Sequence, residues 1–195
     1  MWRGQASRTK GAAGGAVFDC FLFQYFCVRS LWHFNKGTPC PDLDLAIKRK
    51  ELHAVILSIL CRNSNLYYFQ GFHDVVSVFL LVLDDPFLAF AVAELASKEY
   101  FIDCMQRDFE IASKIITLVM TIIQSADQML FEYLTLAGVS SFFATSWMIT
   151  WLAHDVKRLD DCARMFDAML CSPPVFSIYV CAAVRAHLLN KCWFL

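Results

Sequence analysis

The sequence has no glycine-rich phosphate loop, no GxSxG or HExxH string and no CxxC pair. These absences remove the usual signatures of a nucleotide-binding enzyme, of two common hydrolase classes and of a paired-ligand zinc site. Charge is also scarce: 18% of the 195 residues are charged, against about 25% in an ordinary domain. Neither sign prevails, with 17 Lys/Arg and 18 Asp/Glu, so no nucleic-acid partner is expected. Seven glycines and five prolines are too few for a collagen-like or low-complexity chain. What is abundant is apolar: 58% of the residues. That is enough to offset the entropy of ordering, which excludes disorder and fits one domain with a sizeable core.

The scarce charge is unevenly spread. Residues 1–50 hold eight Lys/Arg and three Asp/Glu, whereas 51–195 hold nine and fifteen. Five of the seven glycines fall in the first 37 positions. Residues 1–16 read as a flexible tail of Gly, Ala, Ser and basic side chains, and 17–34 are dense in aromatics without a clear period. Three cations before an apolar run faintly suggest a signal peptide, but Asp19 interrupts the run and no clean cleavage site follows. A basic and aromatic N-terminal segment over 1–41, partly disordered, and a helical domain over 42–195 are expected. The nine cysteines are scattered and odd in number, and most sit among apolar neighbours, as Cys61 and Cys181 do. They read as buried free thiols of a reducing compartment rather than metal ligands. No metal site and no cofactor of the chain's own are expected.

Beyond the loop 35–42, apolar spacing predicts helices throughout. One starts near Asp42 or Asp44 and carries Leu52, Val55, Ile56, Ile59 and Leu60 on one face. Lys48, Arg49 and Lys50 precede that stripe and read as solvated surface before a binding patch. Further helices are predicted at 75–83, which is apolar all round and therefore central, and at 87–98, 108–124, 127–137 and 139–153. Another follows Asp160-Asp161, with Cys162, Met165, Phe166, Met169 and Leu170 as its stripe, and a last one covers 175–190. No strand alternation is found, so the fold is all-α. The uncharged stretch 133–153 is long enough to span a bilayer, but its Ser, Thr and Gly content suits a buried helix better.

Several residues invite chemistry but have plainer readings. His73-Asp74 could serve acid–base work, although Asp74 capping a helix start is the simpler reading. Asp84-Asp85 reads as a helix terminator before a carboxylate dyad. Trp147 and Trp151, four apart, read as core before a stacking platform.

The string Tyr68-Phe69-Gln70-Gly71 resembles the YxQG motif of TBC domains, the GTPase-activating domains for Rab proteins. Two further blocks agree. Residues 146–151 (SWMITW) resemble the family's Ser-Trp helix. Arg164-Met165-Phe166-Asp167, followed by Pro174 and Ile178-Tyr179, resembles its Arg-x-aromatic-Asp block. The blocks occur in the family's order over roughly 42–190. The resemblance implies a multi-helix TBC fold, expected to be incomplete at both ends. It also implies a GTP-bound Rab partner that brings its own magnesium.

In such domains an arginine neutralises charge between the β- and γ-phosphates while a glutamine orients the attacking water. Gln70 corresponds to the glutamine; the plainer reading is an ordinary loop residue. Tyr68 and Gly71 would shape the loop, with Asp74 and Arg62 in support. The arginine belongs to an IxxDxxR motif, whose counterpart here is Arg29, followed by Ser30-Leu31. Phe26 stands where the motif has Asp, and Phe23 at its apolar position. Losing that carboxylate removes a group that would orient the guanidinium. A TBC-like module that binds a Rab without accelerating hydrolysis is therefore one alternative, and a multi-spanning membrane protein another. Relatives of this kind carry a C-terminal anchor at the endoplasmic reticulum. None is read here, so membrane association is expected only indirectly. The implied location is the cytoplasm, at endoplasmic reticulum or Golgi membranes for a full-length relative.

Overall fold

The computed structural model of the protein describes residues 42–192, with side chains over 45–187. Arg29, Phe26 and the rest of the segment 1–41 lie outside these residues. Every regular element described is helical, as expected: α1 (Asp42–Arg62), α2 (Phe72–Leu83), α3 (Pro86–Glu99), α4 (Glu110–Ala126), α5 (Gln128–Leu136), a 3-10 turn (Ser141–Ala144), α6 (Thr145–Thr150), α7 (Leu159–Leu170) and α8 (Phe176–Cys192).

The stripe on α1 is buried as its spacing predicts: Leu52, Val55, Ile56 and Ile59 are inside and Leu60 is half-buried. It packs against α2 and α3. Helix α2 is central, with every residue from Phe72 to Leu80 buried. Asp84 ends it in a left-handed conformation (φ 49°), donating its N–H to Leu80 O. Asp85 then caps α3, its carboxylate accepting from the N–H groups of Phe87 (2.7 Å) and Leu88 (3.1 Å), and Pro86 takes the first helical position. This pair is a terminator and a cap, as its sequence suggests. Small buried residues on α3, namely Ala89, Ala93, Ala96 and Ser97, let it lie close to its neighbours. Helix α4 buries Ala112, Ile116, Val119 and Ile123 on one stripe, and packs against α5 and α8.

Four expectations need correction. The first helix after the Gly71 turn starts at Phe72, not 75, because buried Phe72 seats its ring in the core and draws the first turn with it. Gly71 consequently holds the cap position, without a side-chain cap bond, and Asp74 lies within the first turn rather than capping it. The stretch 139–153 is not one helix but the 3-10 turn, short α6 and a reversal through left-handed Trp151 (φ 50°) and Leu152 (φ 63°). The reversal carries the Trp151 ring into a cluster with Tyr100, Phe101 and Phe166, with centroids 4.7–5.2 Å apart. Trp151 is thus core, as expected, and Trp147 is half-buried against Phe143. Burying so large a ring offsets a backbone cost of about 1–2 kcal/mol per left-handed residue.

The other two corrections concern single faces. Lys48 is half-buried, with its ammonium 2.7 Å from Asp84 and 3.1 Å from Glu51, so it ties α1 to the end of α2 rather than facing open solvent. Cys61 is exposed, two positions beyond Ile59 and so off the buried stripe, and Cys171 is exposed as well. Cys104, Cys162 and Cys181 are buried, and burial pushes each thiol up to about 12. Among the described residues no helix is long and apolar enough to cross a membrane, which counts against the multi-spanning alternative.

Candidate functional site

Between α1 and α2 the chain runs nine residues, 63–71, without regular structure. Its backbone is nonetheless tied at both ends. Asn63 continues the α1 ladder to Ile59 O (3.1 Å) and Leu66 N–H returns to Asn63 O (3.0 Å). Tyr67 N–H reaches Met105 O (2.8 Å), and Phe72 N–H closes on Phe69 O (3.2 Å). Side chains anchor it further. Leu66 and Phe69 are buried, and the Phe69 ring lies 5.7 Å from Phe72 and 6.2 Å from Phe101. Gly71 is buried at φ 120°, a conformation that a side chain strains to adopt. A Cβ there would stand 2.9 Å from Thr150 Cγ2, so the turn sits flush on α6.

Gln70 stands exposed between these two buried neighbours. Its amide is presented to solvent from a backbone fixed on either side. Such a group can accept from one partner and donate to another.

Beneath the loop lies a polar chain. Tyr68 Oη is 2.6 Å from His73 Nδ1, and the rings stack with centroids 6.2 Å apart. His73 Nε2 faces Asp74 Oδ2 at 3.7 Å, and Asp74 Oδ2 lies 3.2 Å from His154 Nδ1. His73 and Asp74 are buried, whereas the His154 side chain is half exposed. Burial pulls the His73 pKa below the ordinary imidazole value. The Asp74 charge opposes this and the His154 charge adds to it. One proton is shared along the Tyr68 Oη–His73 Nδ1 hydrogen bond, while His73 Nε2 is turned toward the Asp74 carboxylate at a separation beyond hydrogen-bond length. Cys162 on α7 completes the surroundings: its thiol is raised first by burial and then by the Asp74 charge.

Of the residues singled out from the sequence, the structure brings Tyr68, Gln70, Gly71 and Asp74 together around this turn. Arg62 lies apart from the chain of polar groups. It is exposed in the last turn of α1, with Nε 3.2 Å from Glu94 Oε1 on α3, and Asn63 Nδ2 donates to the same oxygen (2.8 Å). Arg29 lies outside the described residues. Sequence reasoning passes over His154, and it reads Cys162 only as part of the α7 stripe and Thr150 only as part of the 146–151 block. A buried carboxylate calls for a positive or donating partner, but nothing in the spacing selects a residue 80 positions away.

Comparison with known proteins identifies the family of the chain. The Rab-GTPase-TBC domain family matches residues 39–190. Over 156 residues the chain is 35% identical to TBC1 domain family member 20 of Bos taurus and 34% identical to that of Homo sapiens. In both cases the match covers 80% of this chain and 38% of the relative. It is 32% identical over 154 residues to the GTPase-activating protein gyp10 of Schizosaccharomyces pombe, covering 74% of this chain and 40% of the relative. The chain thus spans about two-fifths of the length of these relatives. A match over most of the chain, in a helical structure whose turn presents the YxQG string, establishes that the chain belongs to the Rab-GTPase-TBC domain family.

Proposed function

We propose that the chain acts as a GTPase-activating domain for a Rab-family small GTPase, with Gln70 as the residue that orients the attacking water. The observation that carries this reading is an exposed amide held between buried Phe69 and strained Gly71. Phosphoryl transfer gains chiefly from positioning and electrostatics, so a lent group serves only if its backbone is fixed beforehand. The partner supplies GTP and its magnesium as substrate; the activator supplies side chains. Arg29 is the arginine of this scheme and neutralises charge between the β- and γ-phosphates. Tyr68, Gly71 and Asp74 hold the turn, and Arg62 braces its start through Glu94. One relative's name, a GTPase-activating protein, supports this reading. Control of vesicle traffic at endoplasmic reticulum or Golgi membranes is the cellular role that goes with it.

One feature favours a second reading. Phe26 stands where a carboxylate would orient Arg29, which suits a module that binds a Rab without accelerating it. Single-turnover GTP hydrolysis by a panel of GTP-loaded Rabs, with and without the chain, separates the two. Acceleration should fall by about 10²-fold or more in Gln70→Ala and in Arg29→Ala. Loss in Gln70→Ala alone would remove Arg29 from the scheme. Binding without acceleration by the folded chain would establish the second reading.

A further inference from the structure

The connection 63–71 leaves α1 at Asn63, and a carboxylate from α3 meets it there. Asn63 Nδ2 donates to Ile59 O and to Glu94 Oε1, each at 2.8 Å. A carboxylate only accepts, so the Asn63 amide has one orientation and both of its N–H groups are used. The backbone of the same residue is engaged on both sides. Its N–H continues the α1 ladder to Ile59 O, and its carbonyl accepts from Leu66 N–H. Ser64 and Asn65 between them are exposed, whereas Leu66 enters the core. Glu94 is itself held. Its side chain is 13% exposed, and Arg62 Nε and Lys98 Nζ each lie 3.2 Å from the same oxygen. The Asn63 hydrogen bond is the main cause that keeps the Glu94 carboxyl below the ordinary carboxylate range. Burial opposes it, and Lys98 and Arg62 add to it.

We infer that Glu94 is a positioning residue for Gln70: by accepting from Asn63 it fixes the direction in which the connection leaves α1. This rests on the reading of Gln70 as the water-orienting residue. The connection is held in three places. Glu94 holds its start through Asn63, Met105 O holds its middle through Tyr67 N–H, and buried Phe69 and Gly71 flank Gln70. Only Ser64 and Asn65 separate Asn63 from buried Leu66, so a changed exit is passed on to Leu66 and Tyr67 rather than absorbed. Of the contacts at Glu94 Oε1, the one to Asn63 acts on the connection directly. The Arg62 and Lys98 side chains are 69% and 43% exposed, and exposed ion pairs contribute little. A hydrogen bond to an ionised acceptor is among the stronger kinds. Without the Glu94 carboxylate, Asn63 keeps its bond to Ile59 O, but its second N–H turns to water and the exit loosens. A displacement of about 1 Å in a positioned group can cost on the order of 10²-fold in rate, so even a fraction of it is measurable.

The test uses the whole chain and two readouts. Hydrogen exchange at the Leu66 amide, which is bonded to Asn63 O, needs no GTPase. It should accelerate about fivefold or more in Glu94→Ala. Glu94→Gln keeps an oxygen able to accept from Asn63 and should return exchange toward the native rate. Unchanged exchange in a folded Glu94→Ala overturns the inference, as does a Glu94→Gln that exchanges as fast as Glu94→Ala. In single-turnover hydrolysis, Glu94→Ala should lower the maximal acceleration about threefold or more, with the chain concentration that gives half of it unchanged. Glu94→Gln should restore it, and the loss should vanish in a Gln70→Ala background. A full maximal rate in Glu94→Ala, or an equal loss in both backgrounds, overturns the inference and leaves Gln70 in place. Acceleration absent from the native chain, or indifferent to Gln70→Ala, removes the Gln70 reading instead, and exchange at Leu66 still decides whether Glu94 holds the connection.

Discussion

Two nine-residue stretches of this molecule, the connection 63–71 and helix α5, invert the usual relation between regular structure and constraint. Helix α5 has its full backbone ladder and an Asp127 cap, yet only Leu134 is buried, while Met129 and Leu136 are 80% and 89% exposed. The connection has no ladder, yet Leu66, Phe69 and Gly71 are buried and Tyr67 and Phe72 are tied by backbone bonds. A helix satisfies its own backbone wherever it lies, so it can rest on buried Leu134 and the half-buried Leu130 and Phe131 alone. An irregular segment must satisfy its polar groups by specific partners, and each partner removes a degree of freedom. Residues that must be held in one place are accordingly better served by the second kind.

The sharpest way to break this contrast is Gly71→Ala. The new methyl group would meet Thr150 Cγ2 at 2.9 Å on a backbone at φ 120°. Left-handed strain of about 1–2 kcal/mol and overpacking of about 1–3 kcal/mol both apply, so a loss of about 2–5 kcal/mol is expected from urea unfolding. Acceleration of GTP hydrolysis should fall with it. A loss under 1 kcal/mol would mean that the turn yields, and that the connection is no more constrained than α5.

The α-helical stripes were readable because burial has a helical period. Leu52, Val55, Ile56 and Ile59 declare α1, and Cys162, Phe166 and Met169 declare α7. The YxQG string marked the turn itself. What failed did so where the period is absent or the partner distant. Residues 139–153 are apolar on every side, so nothing in their spacing shows that Trp151 leaves the helix to reach Phe101 and Phe166. Phe72 to Asp74 read as loop because aromatic and polar residues alternate there, whereas tertiary packing of Phe72 makes them the first turn of α2. The His154–Asp74 contact spans 80 residues and follows no local rule.

A smaller effect probes the polar side of the connection. His73 is buried with its pKa below the ordinary value, so the folded chain disfavours its protonation. In the unfolded chain the ring protonates as pH falls through about 6.5. Its contribution is therefore intact above that pH and is lost as pH falls toward the lowered folded value. Asp74 opposes this trend and His154 reinforces it, while the nearby Cys162 thiol, pushed up to about 12, carries no charge in this range. The urea midpoint should fall between pH 7 and pH 5 more steeply for the native chain than for His73→Gln. Equal slopes would mean that Asp74 accommodates a charged ring, and that the turn tolerates a change of charge beneath it.

The smallest effect is expected on the other side of the comparison. Leu136, 89% exposed in the last turn of α5, becomes a lysine in Leu136→Lys. The two residues have similar helix propensity, and a cation near a helix C-terminus gains about 0.3–1 kcal/mol from the dipole, falling as salt rises. No described contact is lost that could offset this, so the urea midpoint should stay or rise slightly, within about 0.5 kcal/mol. A loss of 1 kcal/mol or more would instead mean that the outer face of α5 is covered in solution. Its freedom would then be apparent only, and α5 would join the connection 63–71 as a segment held by partners.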